Sequence, residues 1–261
     1  MSVCTSEIAV TGAEYLAAMT VRASDRRARA AFQSLAMDVA GPAATVFDFG
    51  AGPGVDARCY AEHGRRVVAY DIDPGMAAFF AEYCQDLIRD ERVELHTGSY
   101  QDFLARGAFC QQRVNLVTAN FAPLSLITDL RELFACFAWM TRPDGAVLAS
   151  VLNPYFLGDL RYGWWWRNAY RLLRDGHYSL PGAQGNIVRR GLDDFSRQCA
   201  PHFVLQRVFA APSAVSLSTR GYAAPTGRGL ACLRLTACRF MFLLFRKPVR
   251  RSASHADGLL V

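Results

Sequence analysis

Short apolar runs alternate with amphipathic segments through much of this chain. The apolar runs predict strands at 44–49, 66–71, 92–96, 114–118 and 146–152, because each is short and bounded by residues that favour turns. The segments before and between them predict helices at 13–40, 55–63, 73–88, 100–106 and 125–140. Strands that alternate with helices in this way predict an α/β fold with a parallel sheet and right-handed crossovers.

The second half of the chain departs from that alternation. Residues 202–210 and 240–246 predict the two edge-most strands, and Pro143–Gly145 predicts a turn before the fifth strand. One extra stretch, 154–200, separates the fifth and sixth strands. Another, 211–236, is rich in Ala, Ser, Pro and Gly and predicts a long loop.

These patterns predict one domain. We expect it to cover 1–247, with an N-terminal helical cap at 13–40, an insertion on the substrate side at 154–200 and a flexible, solvated tail at 248–261. A chain of 261 residues with 52% hydrophobic and 20% charged residues has enough apolar surface for a sizeable core and is not disordered.

Charge and cysteine content narrow the location and the partners. The net charge is +6, but Lys247 is the only lysine, and we attribute the arginine-rich basicity to codon bias rather than to nucleic-acid binding. The eight cysteines form no C-x-x-C pair, which favours reduced thiols. Glu7 and Glu14 interrupt any secretory signal, and no apolar run reaches the length of a membrane span. We therefore expect a cytoplasmic protein.

A glycine-rich loop carries the strongest chemical signal. The run from Thr45 to Gly54 reads T-V-F-D-F-G-A-G-P-G, and the next predicted strand ends in Asp71. Glycines allow a tight turn and the close approach of a ligand to the backbone, and the following helix offers free amides and the positive end of its dipole. Asp71 is suited to accept hydrogen bonds from two ribose hydroxyls. The segment therefore predicts a nucleoside-binding site.

The glycine spacing discriminates between nucleosides. The loop reads G-x-G-x-G, whereas a dinucleotide fingerprint reads G-x-G-x-x-G/A and needs a small residue where this chain has Val55. Asp48 would repel a pyrophosphate but could help to hold a cationic amino group. A ligand with a ribose, a positive amino acid end and no phosphates is S-adenosylmethionine. A nicotinamide-dependent oxidoreductase is the competing hypothesis, and Val55 and the spacing count against it.

Residues Asp48 to Gly54, together with Asp71, resemble the Rossmann-like (class I) S-adenosylmethionine-dependent methyltransferases, whose loop reads D/E-x-G-x-G-x-G. The resemblance covers 44–153 and continues more weakly through 246. It implies a three-layer sandwich around a seven-stranded, mostly parallel sheet in the order 3-2-1-4-5-7-6, with strand seven antiparallel.

The resemblance also implies the residues that hold the cofactor. The glycines would line its methionine part, Asp71 would bind the ribose, and Ile72 and Met76 would pack on the adenine. Ser99 or Tyr100 stands where an acidic residue is commoner. The predicted cofactor-binding set is Asp48, Gly50, Gly52, Gly54, Asp71, Ile72, Met76, Ser99, Tyr100, Asn120, Phe121 and Tyr15.

Asn120 and His177 are the predicted catalytic residues. The segment Asn120–Leu124 occupies the position that faces the transferred methyl group in the family, and N-F-A-P differs from the [N/D]-P-P-[Y/F] of enzymes that methylate nucleobase amines. His177 is the best candidate general base, with an exposed loop histidine as its competing interpretation.

Arg22 or Arg26 could cap the cofactor. No carboxylate cluster follows the fourth and fifth strands, so we expect no metal.

The insertion contains G-W-W-W-R-N-A-Y-R-L-L-R at 163–174, in which three arginines share one helical face. We interpret this helix as a lid over an apolar acceptor pocket. A plain surface helix and a helix in peripheral contact with a membrane through 161–174 are the alternatives. The segment 186–195 predicts a strand and then an Asp-capped helix. The predicted substrate-binding residues are Tyr155, Trp165, Trp166 and Tyr178.

The resemblance implies methyl transfer from S-adenosylmethionine. An apolar insertion favours a small hydrophobic or aromatic acceptor, with oxygen favoured over nitrogen or carbon. Two alternatives stay open, a non-catalytic protein that binds the cofactor and acts through a partner, and an RNA methyltransferase. Nucleic acid is the less favoured partner, and the oligomeric state is not predicted.

Overall fold

The computed structural model describes residues 12–106, 113–182, 185–211, 222–223 and 236–248. The strands are β1 (Thr45–Phe49), β2 (Arg66–Asp71), β3 (Val93–Thr97), β4 (Val114–Ala119), β5 (Thr141–Leu152), β6 (His177–Gly182), β7 (Gly185–Arg190), β8 (Val204–Ala210), β9 (Tyr222–Ala223) and β10 (Phe240–Arg246). The α-helices are α1 (Gly12–Val21), α2 (Ala23–Ala40), α3 (Val55–Glu62), α4 (Pro74–Tyr83), α5 (Gln85–Arg89), α6 (Tyr100–Arg106), α7 (Arg131–Met140), α8 (Gly163–Asp175) and α9 (Leu192–Cys199). The tail 249–261 lies outside the described residues.

The central sheet has the strand order β3-β2-β1-β4-β5-β10-β8-β9. Strands β1 to β5 pair in parallel, and β10 is antiparallel to both β5 and β8. The predicted Rossmann-like α/β sandwich is confirmed, and its seven strands have the predicted order. The sheet differs by one strand, because β9 within the predicted long loop pairs with β8 and adds an eighth member.

Several predicted boundaries are wrong, each for a local reason. The helix predicted at 13–40 is two helices, because Arg22 has an extended backbone. The helix predicted at 73–88 is likewise divided at Cys84. Helix α7 begins at Arg131 rather than near 125, since Pro123–Leu126 forms a 3-10 helix. Strand β5 already begins at Thr141, and its register with β4 shifts after that residue, so the predicted turn is looped out of the strand.

Both faces of the sheet are covered. Neighbouring residues of β1 point to opposite faces, so Val46 packs in one core cluster and Phe47 in the other. Phe32 of α2 lies in the cluster with Val46, and Phe137 of α7 lies in the cluster with Phe47. Helices α3 and α4 also contribute to the cluster with Val46, and α9 contributes to the cluster with Phe47. The helices thus cover the two faces of the sheet, and a site can form at the carboxyl ends of the parallel strands.

The insertion is built from α8, a separate β6–β7 hairpin and α9. The predicted helix at 163–174 and the strand that begins near 186 are confirmed. The hairpin partner β6 was not predicted. The predicted Asp cap of α9 is wrong, because Gly191 occupies the N-cap position and no side chain caps this helix.

The glycine loop connects β1 to α3 and turns through left-handed backbone conformations. Gly50, Gly52 and Gly54 have φ angles of +68°, +55° and +84°, which residues with a Cβ rarely adopt. Gly54 is also the N-cap of α3, and a Cβ there would lie 2.7 Å from Cδ2 of Phe80 on α4. The glycine at this position therefore permits both the turn and the contact between the loop and α4.

Gly54→Ala is expected to destabilise the fold more than Gly64→Ala. The two glycines have nearly equal φ angles, +84° and +82°, but no atom lies within 4 Å of a Cβ added at Gly64. The control substitution should cost only the left-handed conformation, about 1–2 kcal/mol. Gly54→Ala should cost about 1–3 kcal/mol more through overpacking against Phe80. Urea unfolding followed by circular dichroism measures both, and equal losses would contradict the packing argument.

Candidate functional site

A cleft of about 850 Å³ opens at the carboxyl ends of β1, β2 and β4. It is lined by Tyr15, Phe49, Gly50, Gly52, Tyr70, Asp71, Ile72, Asp73, Pro74, Met76, Tyr100, Asn120, Phe121, Pro123, Leu126, Ile127, Thr128, Asp129 and Glu132. This volume lies within the range of small-molecule sites. Nine of the twelve predicted cofactor-binding residues line it, and Asp48, Gly54 and Ser99 do not.

Asp71 is fixed against the glycine loop at the end of β2. Its Oδ2 accepts a hydrogen bond from the Gly52 amide at 2.6 Å, and its Oδ1 accepts one from the Asp73 amide at 2.9 Å. Burial raises the pKa of this carboxyl, and the amides of Asp73 and Gly52 oppose that rise. Each carboxylate oxygen can accept more than one hydrogen bond, so the side chain can still accept hydrogen bonds from a ligand in the cleft.

Ile72 and Met76 extend the cleft wall beyond Asp71. Ile72 is 58% exposed, whereas Met76 is buried in the first turns of α4. The Asp73 side chain caps that helix by accepting from the amides of Gly75 and Met76. An exposed apolar side chain beside a rigid helix start gives this end of the cleft a surface on which a planar ring can pack.

Asp56 is the centre of a buried polar cluster that the sequence patterns did not reveal. Its Oδ2 accepts from Arg29 Nη1 at 2.8 Å and from Asn120 Nδ2 at 3.0 Å, and its Oδ1 accepts from Gln33 Nε2 at 2.7 Å. Arg29 and Gln33 stand one turn apart on α2. That spacing indicates that the two side chains share one helix face, but which carboxylate they contact depends on how α2 packs against the sheet.

The turn after β4 is strained and held in place. Phe121 and Ala122 have φ angles of +58° and +68°, a conformation that costs residues with a side chain free energy and often marks a functional site. Asn120 Oδ1 accepts from the Phe121 amide at 2.9 Å, and the Ala122 amide donates to the Ser150 carbonyl at 2.9 Å. The Arg29 guanidinium lies 4.5 Å from the centroid of the Phe121 ring.

Asp48 lies beneath the glycine loop and not on the cleft wall. It is 2% exposed, and its Oδ1 accepts from Thr118 Oγ1 at 2.8 Å. Its Oδ2 has no hydrogen-bond partner among the described residues. Burial, reinforced by repulsion from Asp56, raises the pKa of Asp48 to about 7. The position of Asp48 therefore does not support the predicted contact between its side chain and a ligand.

Gly54 and Ser99 also have structural positions. Gly54 packs against Phe80 at the start of α3. Ser99 Oγ donates to Asp102 Oδ2 at 2.7 Å and accepts from the Asp102 amide at 3.1 Å, which secures the first turn of α6. Arg22 and Arg26 do not line the cleft, and Arg29 is the α2 arginine that reaches the turn after β4.

A second wall of the cleft joins apolar and acidic side chains. It is formed by Leu126, Ile127, Thr128, Asp129 and Glu132, in the segment between the 3-10 helix and the first turn of α7. Tyr100 faces the same cleft, and its buried hydroxyl has no hydrogen-bond partner among the described residues. Burial raises the pKa of Tyr100, and the nearby carboxylates add to that shift. The wall combines an apolar surface with groups that accept hydrogen bonds.

The insertion reaches this wall through a buried arginine. Arg190 is 1% exposed, and its Nη2 donates to the carbonyls of Ile127 and Thr128 at 2.6 and 2.5 Å. Its Nη1 donates to Asp194 Oδ2 at 3.1 Å. The end of β7 thereby fixes the path of two residues that line the cleft, a contact that local sequence patterns do not predict.

The structure does not bring the residues predicted from the insertion to the cleft. Among the described residues, Tyr155, Trp165, Trp166, Tyr178 and His177 are all absent from its walls. Helix α8 packs beside β6, and none of its residues lines the cleft, so its position does not support the predicted lid.

The side chains of the insertion make other contacts. The Trp165 and Trp166 indoles donate to the carbonyls of Pro154 and Leu160. Tyr178 is buried, with its ring 6.3 Å from that of Trp164. The backbone amide of Tyr155 donates to Asn153 Oδ1. These contacts stabilise the insertion itself.

His177 is half-exposed, and its Nδ1 lies 3.5 Å from Asp194 Oδ2. That distance is at the limit for a hydrogen bond, and Nδ1 has no other partner among the described residues. Since the imidazole is also outside the cleft walls, its position does not support the predicted role as a general base.

Comparisons with known proteins agree with this geometry. Residues 46–145 match the family model of a methyltransferase domain. No curated protein matches the sequence. Among solved structures, the chain is similar to 1,6-didemethyltoxoflavin-N1-methyltransferase of Burkholderia thailandensis, with 18% identity, a TM-score of 0.57 and coverage of 90% of this chain and 86% of that one.

Two further solved structures have the same fold. The CcbJ methyltransferase of Streptomyces caelestis is 15% identical, with a TM-score of 0.55 and coverage of 84% of this chain and 88% of that one. Geranyl diphosphate C-methyltransferase of Streptomyces coelicolor is 17% identical, with a TM-score of 0.53 and coverage of 84% and 80%. At these identities the similarity establishes the fold and leaves the acceptor open.

Arg190→Met is expected to loosen the second cleft wall. Removing one partner of a buried ion pair costs about 3 kcal/mol, and the carbonyls of Ile127 and Thr128 lose their donors. We expect a lower melting temperature and faster amide exchange in a peptide covering 126–129. The matched control is Arg197→Met, because Arg197 also pairs with Asp194 but has a 61% exposed side chain. Equal effects of the two substitutions would show that Arg190 does not hold the wall.

We expect the titration of Asp48 to lower the free energy of unfolding as the pH rises from about 4 to about 7. Its pKa is raised from 3.8 to about 7 in the folded protein, so the folded state binds the proton more tightly than the unfolded chain does. The stability contributed by the protonated carboxyl is present at low pH and is lost between about pH 4 and about pH 7. In Asp48→Asn, the melting temperature relative to the wild type should therefore increase from about pH 5 to about pH 8.

The Asp48 comparison needs a control for the titration of other groups. Asp90→Asn serves, because the Asp90 side chain is 56% exposed and its replacement should leave the pH dependence close to that of the wild type. A pH-independent difference between Asp48→Asn and the wild type would show that the buried carboxyl does not titrate in this range.

Proposed function

We propose that this chain is a Rossmann-like S-adenosylmethionine-dependent methyltransferase that methylates a small, mostly apolar acceptor, with oxygen as the favoured atom. The match of residues 46–145 to a methyltransferase domain supports methyl transfer. The acceptor class is our inference from the cleft. The observation that carries it is the pairing of Asp71 and Gly52 in a cleft whose second wall places the apolar side chains of Leu126 and Ile127 beside carboxylates.

The chemical character of the described cleft residues matches the parts of S-adenosylmethionine. Gly50 and Gly52 allow its methionine part to approach the backbone, and Asp71 would accept hydrogen bonds from the ribose hydroxyls. Ile72 and Met76 would pack against the adenine, with Tyr15 and Phe121 on the remaining sides. When bound, S-adenosylmethionine supplies a methyl group already activated by a sulfonium.

The protein's part is then mainly to orient the acceptor and to exclude water. The Asn120–Phe121 turn, fixed through Asp56 and Arg29, would define where the acceptor stops. Leu126 and Ile127 would contact its apolar part. Asn120 acts here by positioning, because both ends of its amide are already engaged with Asp56 and Phe121.

A hydroxyl acceptor must lose a proton, and the cleft offers groups for that step. Asp129 and Glu132 are carboxylates on the second wall, and Tyr100 presents a hydroxyl without a partner among the described residues. We propose that one of the two carboxylates takes this proton. They replace His177 in that role, since His177 lies beside Asp194 and outside the cleft walls.

Asp71→Ala is expected to weaken the binding of S-adenosylhomocysteine strongly. Loss of charge-assisted hydrogen bonds worth about 2 kcal/mol corresponds to about a 30-fold weaker affinity. Calorimetric titration measures it, with circular dichroism as a check of folding. Asp90→Ala, at an exposed carboxylate, is the control and should bind as the wild type does. Unchanged affinity in Asp71→Ala, or binding of NAD in place of S-adenosylhomocysteine, would contradict the assignment.

The acceptor class is tested by transfer of a labelled methyl group to panels of phenols, aromatic carboxylic acids, amines and bulk RNA. Mass spectrometry then identifies the methylated atom. Products confined to oxygen of apolar acceptors support the proposal, whereas turnover of amines or RNA alone overturns it. Tight cofactor binding without any turnover would favour a non-catalytic protein that acts through a partner.

A further inference from the structure

Helix α8 presents an exposed apolar stripe. Trp166, Tyr170 and Leu173 are 63%, 66% and 87% exposed, and their spacing of four and three residues places them on one face. Trp164 and Asn168, on a different face of the helix, are more enclosed and point toward the rest of the insertion. The helix is therefore anchored on one side, and its large apolar side chains on another side face solvent.

The stripe continues to the residue before the helix, because Tyr162, one turn before Trp166, is 41% exposed. Large apolar residues scattered singly are normal on a protein surface, but a contiguous group marks an interaction site. Aromatic rings with a polar edge are also the side chains most suited to a boundary between water and an apolar phase.

A basic stripe runs beside the apolar one. Arg167, Arg171 and Arg174 have the same spacing of four and three residues and are all exposed, and at 100° per residue they lie next to the Trp166–Leu173 face. Arg174 pairs with Asp175 at 2.7 Å. Within the described ranges, the hydrogen bond of Arg171 is a long one, 3.4 Å, to Asn168 Oδ1. The helix thus offers positive charge along the border of its apolar stripe.

We propose that α8 binds the surface of a membrane that contains anionic lipids. The helix would lie in the plane of the interface, with Trp166, Tyr170 and Leu173 inserted among the acyl chain ends and the arginines against lipid phosphates. Charge complementarity selects this occupant over an uncharged apolar partner. Within the described parts of the chain, no helix has the length and apolar character needed to cross a bilayer.

This inference goes beyond the proposed methyl transfer and is tested without cofactor or acceptor. The full chain is sedimented with vesicles of phosphatidylcholine alone or of equal parts phosphatidylcholine and phosphatidylglycerol. We expect binding to the anionic vesicles, and Arg167→Gln combined with Arg171→Gln should weaken it about 5-fold for each arginine removed. Added salt should weaken the wild type in the same direction.

The apolar stripe is tested with a matched tryptophan control. Trp166→Ser combined with Leu173→Ser should reduce partitioning into anionic vesicles at least about tenfold. Trp139→Ser should change it by less than about twofold, because Trp139 is 55% exposed but belongs to α7. Because Trp166→Ser also removes the indole hydrogen bond to Leu160, circular dichroism checks that each variant is folded, and the affinity for S-adenosylhomocysteine should match that of the wild type.

Three results would overturn the proposal. They are no binding of the wild type to anionic vesicles, equal binding of the stripe variant and the Trp139 control, and equal binding to the two vesicle compositions. Self-association that depends on Trp166 and Leu173 without vesicle binding would instead identify the stripe as a contact between protein chains. None of these results would bear on the proposed methyl transfer, because that reaction is assigned to the cleft and the vesicle experiments do not test the cleft.

Discussion

The hydrogen bond from the Gly52 amide to Asp71 Oδ2, at 2.6 Å, is the interaction on which the site depends. It joins the glycine loop after β1 to the end of the neighbouring strand β2, so the two parts that would hold a nucleoside cannot move independently. The bond requires a carboxylate that is fixed and buried, and the second amide donor, from Asp73, keeps it in place. A parallel sheet makes this arrangement possible, because its strands end at one edge.

The same edge concentrates negative charge, and that constrains the N-terminal helices. Asp48, Asp56 and Asp71 are all buried, and the charges of Asp56 and Asp71 both disfavour the ionisation of Asp48. Arg29 on α2 is the cation that pairs with Asp56 at 2.8 Å and also lies against Phe121. Helix α2 therefore compensates part of the negative charge at the site through Arg29, so the N-terminal cap is part of the site's electrostatics.

Sequence patterns predicted the features that depend only on residues close together in the chain. The parallel strands, the glycine loop and Asp71 follow from short apolar runs, turn residues and spacing within the chain. The contacts of Arg190 with the 127–128 carbonyls could not be predicted, because they join residues 63 and 62 positions apart and depend on the fold of the insertion. Arg29 and Asp56 escaped for the same reason, since either residue alone looks like an ordinary exposed charge.

Helix α8 shows a different limit of sequence patterns. Its periodicity predicted an amphipathic helix correctly, but three adjacent tryptophans point in three directions, and the pattern alone does not say which direction faces the protein. The packing of α8 on β6 turns Trp164 inward and leaves Trp166 outside. The insertion consequently acts on the cleft from a distance, through Arg190, while its outer helix keeps a surface of its own. The proposed acceptor contacts and the proposed membrane surface could then change separately, because Leu126 and Ile127 line the cleft, whereas Trp166, Tyr170 and Leu173 are exposed on the insertion.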